Sequence, residues 1–419
     1  MDSRHLSPAR SAPPMTARAE AETSSARSGA IVRPSLAFAA VDIAGKVLGL
    51  AVVIVLARRM ADGQFGEVVA SLALANVLLA FFDFGMNFHL VALVVRDRQQ
   101  VREAIARRYQ VLGAIVLVAL VTSGLPPLRS VSVCVAAGAA MAALPTGVLL
   151  AGRETFWAAC SLVGPNLLFL GLVATVPGLD PMGAMVLWTI ANVATLVSLW
   201  PAVEWIRPKR GPQISLWRLH RQSLSLALFN LVVLAYGRLD TVLVATLVSS
   251  AVAGVYGTLY RVVLAAVGVA SWSANVAAQR FGDVERGIDD LRRLIRCAAG
   301  LAVVLAAGLL FTLSPAVELL LGRRVHLSPA TVVAFSALVI PLIIANPITY
   351  FVVVGGHQRR LTSCSLVAGA AAVLLYPPAI RAFGMTGGAL SSLAIEVLAL
   401  ALFARAALRS HHQRTVAAA

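Results

Sequence analysis

The chain has 419 residues, of which 59% are hydrophobic and only 13% charged, with a formal net charge of +16. A soluble domain carries about 25% charged residues, so the composition excludes an ordinary soluble protein and points to an all-α, polytopic membrane protein. The positive charge does not imply nucleic acid, because the basic residues gather in alternate connections between apolar runs, without interleaved stacking aromatics.

Residues 1–34 are rich in Ser, Pro, Arg and Ala and contain no long apolar segment. They read as a disordered tail, lacking the apolar core of a signal peptide. Apolar runs long enough to span then follow, each needing about 20 residues. They fall at about 35–57, 66–90, 109–128, 130–151, 156–177, 182–203, 223–247, 253–277, 295–315, 329–354, 361–382 and 384–404. Pro145, Pro165, Pro341, Pro347 and the pair Pro377–Pro378 interrupt several of them. A proline inside a spanning helix frees a carbonyl and bends the helix, which neighbours or water can compensate.

Counting Lys and Arg orients the chain. Of the 35 such residues, 26 lie in the N-tail, the even-numbered connections and the C-tail. Six lie on the other side (Arg58, Arg59, Arg129, Arg323, Arg324 and Arg381), and Lys46, Arg238 and Arg261 lie inside spans. By the positive-inside rule both termini are expected in the cytoplasm, with the protein in the plasma (inner) membrane.

The chain also repeats itself. QFGEVVASL at 64–72 aligns with AGVYGTLYR from Ala253, placing Gly66 on Gly254. PTGVLLAGRE from Pro145 matches PITYFVVVGGHQ from Pro347, and Gly183–Ala184 matches Gly388–Ala389. These matches keep one order at a shift of about 190–205 residues, so they suggest two related six-span lobes in parallel orientation, a symmetry that transporters use to place a substrate site between halves. The expected organisation is a tail at 1–34, an N-lobe at 35–203, a basic cytoplasmic linker at 204–222, a C-lobe at 223–405 and a tail at 406–419.

Polar residues inside the spans are the candidate functional positions, since a charge at a helix centre costs about 2.5–3.5 kcal/mol on insertion scales. Asp42 and Lys46 are four apart and share a helix face, as a local ion pair or as a coupling carboxylate with an exchangeable partner. Asn76, Asp83 and Asn87 form a stripe in the second span. In the seventh, Ser223, Asn230 and Arg238 share a face, and Asp240 points roughly the opposite way. Thr258, Arg261, Gly268 and Asn275 form a stripe in the eighth, and Glu396 sits midway along the last. Lys46, Arg238 and Arg261, with Asn230, are the candidates for binding an anion; Asp42, Asp83, Asp240 and Glu396 are the candidates for ion or proton coupling. The alternative is that these cations only neutralise those carboxylates. Cys134, Cys160, Cys297 and Cys364 lie in or beside apolar runs at spacings no metal site uses, and the histidines form no HExxH pair. No metal or cofactor is expected.

LARRMADGQFGEVVASL at 56–72, FFDFGMNFHLVALVVRD at 81–97, RLDTVLVATLVSSAVAGVYGTLYRVV at 238–263 and GMTGGALSSLAIEVL at 384–398 resemble the polysaccharide or lipid-linked oligosaccharide flippases (Wzx-type) of the multidrug/oligosaccharidyl-lipid/polysaccharide (MOP) exporter superfamily. The resemblance covers about residues 35–405. It implies a two-lobed, twelve-helix exporter moving polyprenyl-pyrophosphate-linked glycans by alternating access, coupled to protons or another cation. It also implies a cationic central cavity for pyrophosphate and sugar, with Arg238, Asp240 and Arg261 at the family's usual charged positions, and glycan-assembly and polymerase proteins and membrane lipids as partners. A multidrug/cation antiporter of the same superfamily is the alternative; it would favour an acidic or aromatic cavity. An enzyme such as a glycan polymerase or ligase would need a sizeable outer loop and a nucleophile–base set, and neither is legible.

Overall fold

A computed structural model describes residues 40–41, 43–84, 98–125, 128–144, 146, 149, 155–199, 216–278 and 287–418. Asp42, the N-terminal tail and most of the 204–222 linker lie outside the described residues. Those described contain helices and no strands. A first helix, α1, covers 43–59. It is followed by α2 (Asp62–Asp83), α3 (Arg98–Thr122), α4 (Arg129–Ala142), α5 (Thr155–Thr175) and α6 (Pro181–Leu199). Then come α7 (Leu216–Leu247), α8 (Ser250–Ala278), α9 (Gly287–Leu321) and α10 (Pro329–Val354). Gln358–Ala418 is helical except at Gly384, whose φ of 57° and ψ of −134° break it into α11 (358–383) and α12 (385–418). Eight stretches, with α11 and α12 counted as one, are long and apolar enough to cross a membrane. The helices run in step with the expected spans, an arrangement consistent with twelve.

Local chemistry sets several ends. Ser328 accepts the Thr331 N–H at 3.2 Å and is followed by Pro329 at the first position of α10, a pairing suited to an N-terminus because proline has no N–H to leave unsatisfied. Asp180 Oδ1 accepts the Gly183 N–H at 2.7 Å and starts α6. At Gly384 a left-handed φ is needed between two consecutive spans, a conformation that L side chains rarely adopt. Four helices exceed their apolar runs: α3 begins at Arg98, α7 at Leu216, α9 at Gly287, and α12 continues through the basic segment beyond residue 405. Hydropathy marks the part of a helix that fits in lipid, and these helices run on into a polar environment. In the other direction, α4 ends at Ala142, short of the run expected to 151, three residues before Pro145. The outward faces are apolar: Phe311 is 82% exposed, Leu374 73% and Val121 71%. A water-soluble protein would not present so many large apolar side chains, and these fit lipid contact.

The helices pack as two groups. In the first, α2 rests on α4 and α6, α3 on α4, and α5 on α6. In the second, α10 packs on α8, α9 and the α11–α12 pair, which in turn packs on α7. The groups meet chiefly where α2 crosses α7 and α8. The crossing with α8 centres on Gly66 and Gly254, the two positions that the internal repeat superposes. A methyl on Gly66 would overlap the Ser250 carbonyl, and one on Gly254 would lie 2.8 Å from Phe65 Cδ1 and 3.3 Å from the Gly66 Cα. The repeat-matched glycines therefore let two equivalent helices touch backbone to backbone. Around them, Arg323 pairs with Asp62, Arg58 Nη2 donates to the Leu319 carbonyl at 3.5 Å, and Arg59 donates to the carbonyl of Val173. This end, gathering the short turns at 60–61, 248–249 and 322–328, is the turn face; the opposite end is the arginine face. On the turn face the two groups are closed against each other.

Candidate functional site

Below the α2–α8 crossing lies a cavity of about 390 Å³ between the two groups. Its walls are chemically unequal. The second group supplies Arg238 from α7 and Arg261, Leu264 and Ala265 from α8; α1 supplies Lys46 among Gly45, Gly49 and Leu50. The first group supplies Asn76, Met141, Leu162, Asn166, Phe169 and Trp188. No carboxylate is among the described residues that line it. Three cationic side chains thus face two carboxamides and an aromatic pair.

Arg238 and Lys46 are each held by their surroundings. Arg238 lies over the Tyr260 ring with Cζ 5.1 Å from its centroid, a cation–π contact that fixes the guanidinium without neutralising it. Tyr260 is buried and stands edge-on to Phe335, their centroids 6.4 Å apart. Lys46 crosses the α8 backbone at Gly268, where an added methyl would lie 2.6 Å from Lys46 Cε. Gly268 is two turns along α8 from Arg261, so one stripe of α8 carries a cation and the seat of another. On the opposite wall, Asn166 Nδ2 donates to the Gly45 carbonyl at 3.3 Å, and a methyl on Gly45 would lie 3.4 Å from the Leu162 carbonyl. The small residues of α1 bring its backbone onto α5, and this approach places Lys46 at the cavity. Trp188 meets Phe169 edge-on with centroids 5.0 Å apart, and its indole N–H lies 3.4 Å from Met141 Sδ.

The carboxylates lie elsewhere. Asp240 is fully buried inside the second group. Its Oδ2 receives the Tyr256 hydroxyl at 2.7 Å and the Ser392 hydroxyl at 2.8 Å, and its Oδ1 receives the Thr241 N–H at 2.6 Å. Tyr376 joins the cluster with its hydroxyl 3.3 Å from Ser392 Oγ and donating to the Tyr236 carbonyl at 3.2 Å. Four elements, α7, α8, α11 and α12, thus converge on one acid. Glu396, buried and one turn beyond Ser392 on α12, is near enough to interact electrostatically with Asp240. Among the described residues no ion pair joins Arg238 or Arg261 to either acid.

The other expected site residues separate from these two clusters. Asp83 pairs with Arg108 Nη2 at 2.6 Å, and the same nitrogen donates to the Ala142 carbonyl at 2.8 Å. That buried triad ties α2, α3 and α4 together at the arginine face, apart from Asp240 and Glu396. Asn230 shares a helix face with Arg238 but does not line the cavity. Asp42 is outside the described residues. Asn166, Phe169, Met141 and Trp188 were not picked out from sequence; Asn166, a carboxamide beside Pro165 within an apolar run, is the one that carried a visible signal.

The lipid II flippase MurJ in an inward closed conformation superposes with a TM-score of 0.68 at 11% identity, covering 91% of each chain. A MATE protein in complex with Br-NRF gives 0.63 at 13% identity, over 91% of this chain and 95% of that one. A MOP superfamily transporter from Pyrococcus furiosus, described as having a binding pocket of reverse polarity, gives 0.59 at 13% identity over the same shares. The fold is that of the MOP-superfamily transporters. Such a MOP fold, with its apolar outer faces, makes this a multi-pass membrane protein, and these neighbours are transporters and flippases rather than enzymes. No family model and no curated protein matches the sequence.

Proposed function

We propose that the protein is a flippase for a polyprenyl-pyrophosphate-linked oligosaccharide or polysaccharide precursor, working by alternating access across the plasma membrane. The observation that carries this reading is the convergence of Lys46, Arg238 and Arg261 on a cavity whose described lining holds no carboxylate. Guanidinium groups clamp phosphate oxygens in bidentate fashion, and a water-poor chamber strengthens the attraction. Asn76 and Asn166 on the facing wall offer hydrogen bonds to sugar hydroxyls, and Trp188 offers an apolar ring surface. A cavity of about 390 Å³ takes a pyrophosphate and a first sugar, leaving the polyprenyl tail in the bilayer.

On this reading the two lobes, 35–203 and 223–405 joined by the 204–222 linker, exchange access by separating and rejoining at the Gly66–Gly254 crossing. Both termini lie in the cytoplasm, as the lysine and arginine asymmetry requires, and the cavity loads from that side while the turn face is sealed. Coupling is assigned to Asp240 and Glu396. Two negative charges inside one apolar lobe repel strongly, so a proton or small cation held between them is the natural counterion. Glycan-assembly and polymerase proteins are the expected partners.

A multidrug/cation antiporter is the second reading, since MATE proteins share the fold. A cationic drug would have to enter a chamber that already holds three positive side chains, at a Coulombic cost of about 4 kcal/mol per charge met at 4 Å with an effective dielectric of 20. The deciding experiment is reconstitution in liposomes with a fluorescent polyprenyl-pyrophosphate glycan, scoring movement between leaflets. Exchange by the wild-type protein that is lost on neutralising Arg238 and Arg261 supports the flippase. Export of an organic cation, with no exchange of the glycan lipid, removes it.

A further inference from the structure

We propose that the arginine face carries a headgroup site for an anionic phospholipid, in the groove between the start of α11 and the end of α12. The groove, about 530 Å³, is lined by Arg360, Leu408, Arg409, His412 and Gln413. It is remote from the central cavity and shares no lining residue with it.

Depth is the first argument. A helix rises about 1.5 Å per residue and a spanning segment uses about 20 residues. Counting from the Gly384 bend at the turn face, α12 leaves the hydrocarbon near residue 405, so Leu408 to Gln413 stand at the level of lipid phosphates. Composition is the second. Arg405, Leu408, Arg409 and His412 recur at helical spacing on one exposed stripe of α12. Leu408 is 64% exposed, and an exposed leucine framed by cations suits an acyl–headgroup boundary, where its apolar side meets the chain and the arginines reach up to phosphate.

Geometry is the third argument. Arg360, from the first turn of α11, donates from Nη1 to Ser410 Oγ at 3.5 Å. Ser410 is fully buried and itself donates to the Ala406 carbonyl at 2.8 Å. The contact locks the start of α11 to α12 and brings Arg360 alongside Arg409. Among the described residues no carboxylate pairs with Arg360 or Arg409, so their charge is available to a phosphodiester. The same arginines on a merely solvated helix end would need no groove and no anchoring serine.

The test uses the full-length protein in detergent, titrated with phosphatidylglycerol, with phosphatidylcholine and with inorganic phosphate. Retained lipid is read by native mass spectrometry and thermal unfolding is followed in parallel. The wild type is expected to retain phosphatidylglycerol in preference to phosphatidylcholine, with millimolar inorganic phosphate failing to displace it. Arg360→Gln with Arg409→Gln should cost more than tenfold in retention, at about a kcal/mol per basic residue near the surface. Arg293→Gln with Arg296→Gln, exposed on α9 at the same face, should change retention less than twofold. Should the Arg360 change perturb folding through Ser410, Arg409→Glu with His412→Glu probes the same groove from exposed positions and should give the same loss. Equal retention of the two lipids, equal losses at the α9 control, or full displacement by inorganic phosphate would each overturn the assignment.

Discussion

The central cavity and the interior of the C-terminal group treat charge in opposite ways. Lys46, Arg238 and Arg261 line the cavity together, with carboxamides and aromatic rings among the other lining residues. In the C-terminal interior, Asp240 is fully buried and saturated by hydroxyl and amide donors. Arg238 and Asp240 are only two residues apart, yet about 200° of helical turn sends one to each region. Had the cations existed only to offset the acids, the cheapest arrangement would join them in dry pairs. The chain has such a pair, Asp83–Arg108, and it uses it elsewhere, to hold α2, α3 and α4. The separation of Arg238 and Arg261 from Asp240 and Glu396 supports the proposed division, with an anion bound in one place and a counterion held in the other.

The comparison can be broken most directly at the cavity. Arg238→Ala with Arg261→Ala is expected to lower glycan-lipid exchange more than a hundredfold at near-normal protein levels. Exchange in liposomes at the wild-type rate would end the anion-binding role. Asp83→Ala should do the reverse, costing about 3–5 kcal/mol of stability by removing the carboxylate from a buried ion pair while leaving substrate affinity within twofold; thermal unfolding and a binding titration separate the two. A smaller and more selective effect is expected from Asp240→Asn with Glu396→Gln. Affinity for the glycan lipid should hold, and the response of exchange to an imposed proton or sodium gradient should disappear. A gradient response equal to wild type would remove both acids from coupling. Least in size, Gly268→Val should crowd Lys46 out of its seat on α8 and weaken binding severalfold with Arg238 and Arg261 intact.

Much of the architecture was legible in the residues. Apolar runs located the spans, whereas the orientation read from the lysine and arginine asymmetry and the two related halves read from the Gly66–Gly254 match stay expectations of the sequence. That those glycines touch each other was not legible, because the repeat specifies equivalence and says nothing of contact. The ends of α3, α7, α9 and α12 escaped hydropathy for a different reason: a helix emerging from lipid keeps its hydrogen bonds while its side chains turn polar. The cations were picked out because a charge in an apolar run is costly, whereas Phe169, Met141 and Trp188 look like any lipid-facing or core residue until their neighbours are known.

Transfer from water to lipid is close to additive along the chain, so the amino-acid sequence alone determined which segments cross and which residues are costly to bury. Whether a buried charge meets a partner, a ring or an open chamber depends on how each helix is rotated and on what stands across from it. Only the packing of α1, α7 and α8 against α2 and α5 decided that three cations share one cavity, and only the convergence of α7, α8, α11 and α12 decided that Asp240 does not join them.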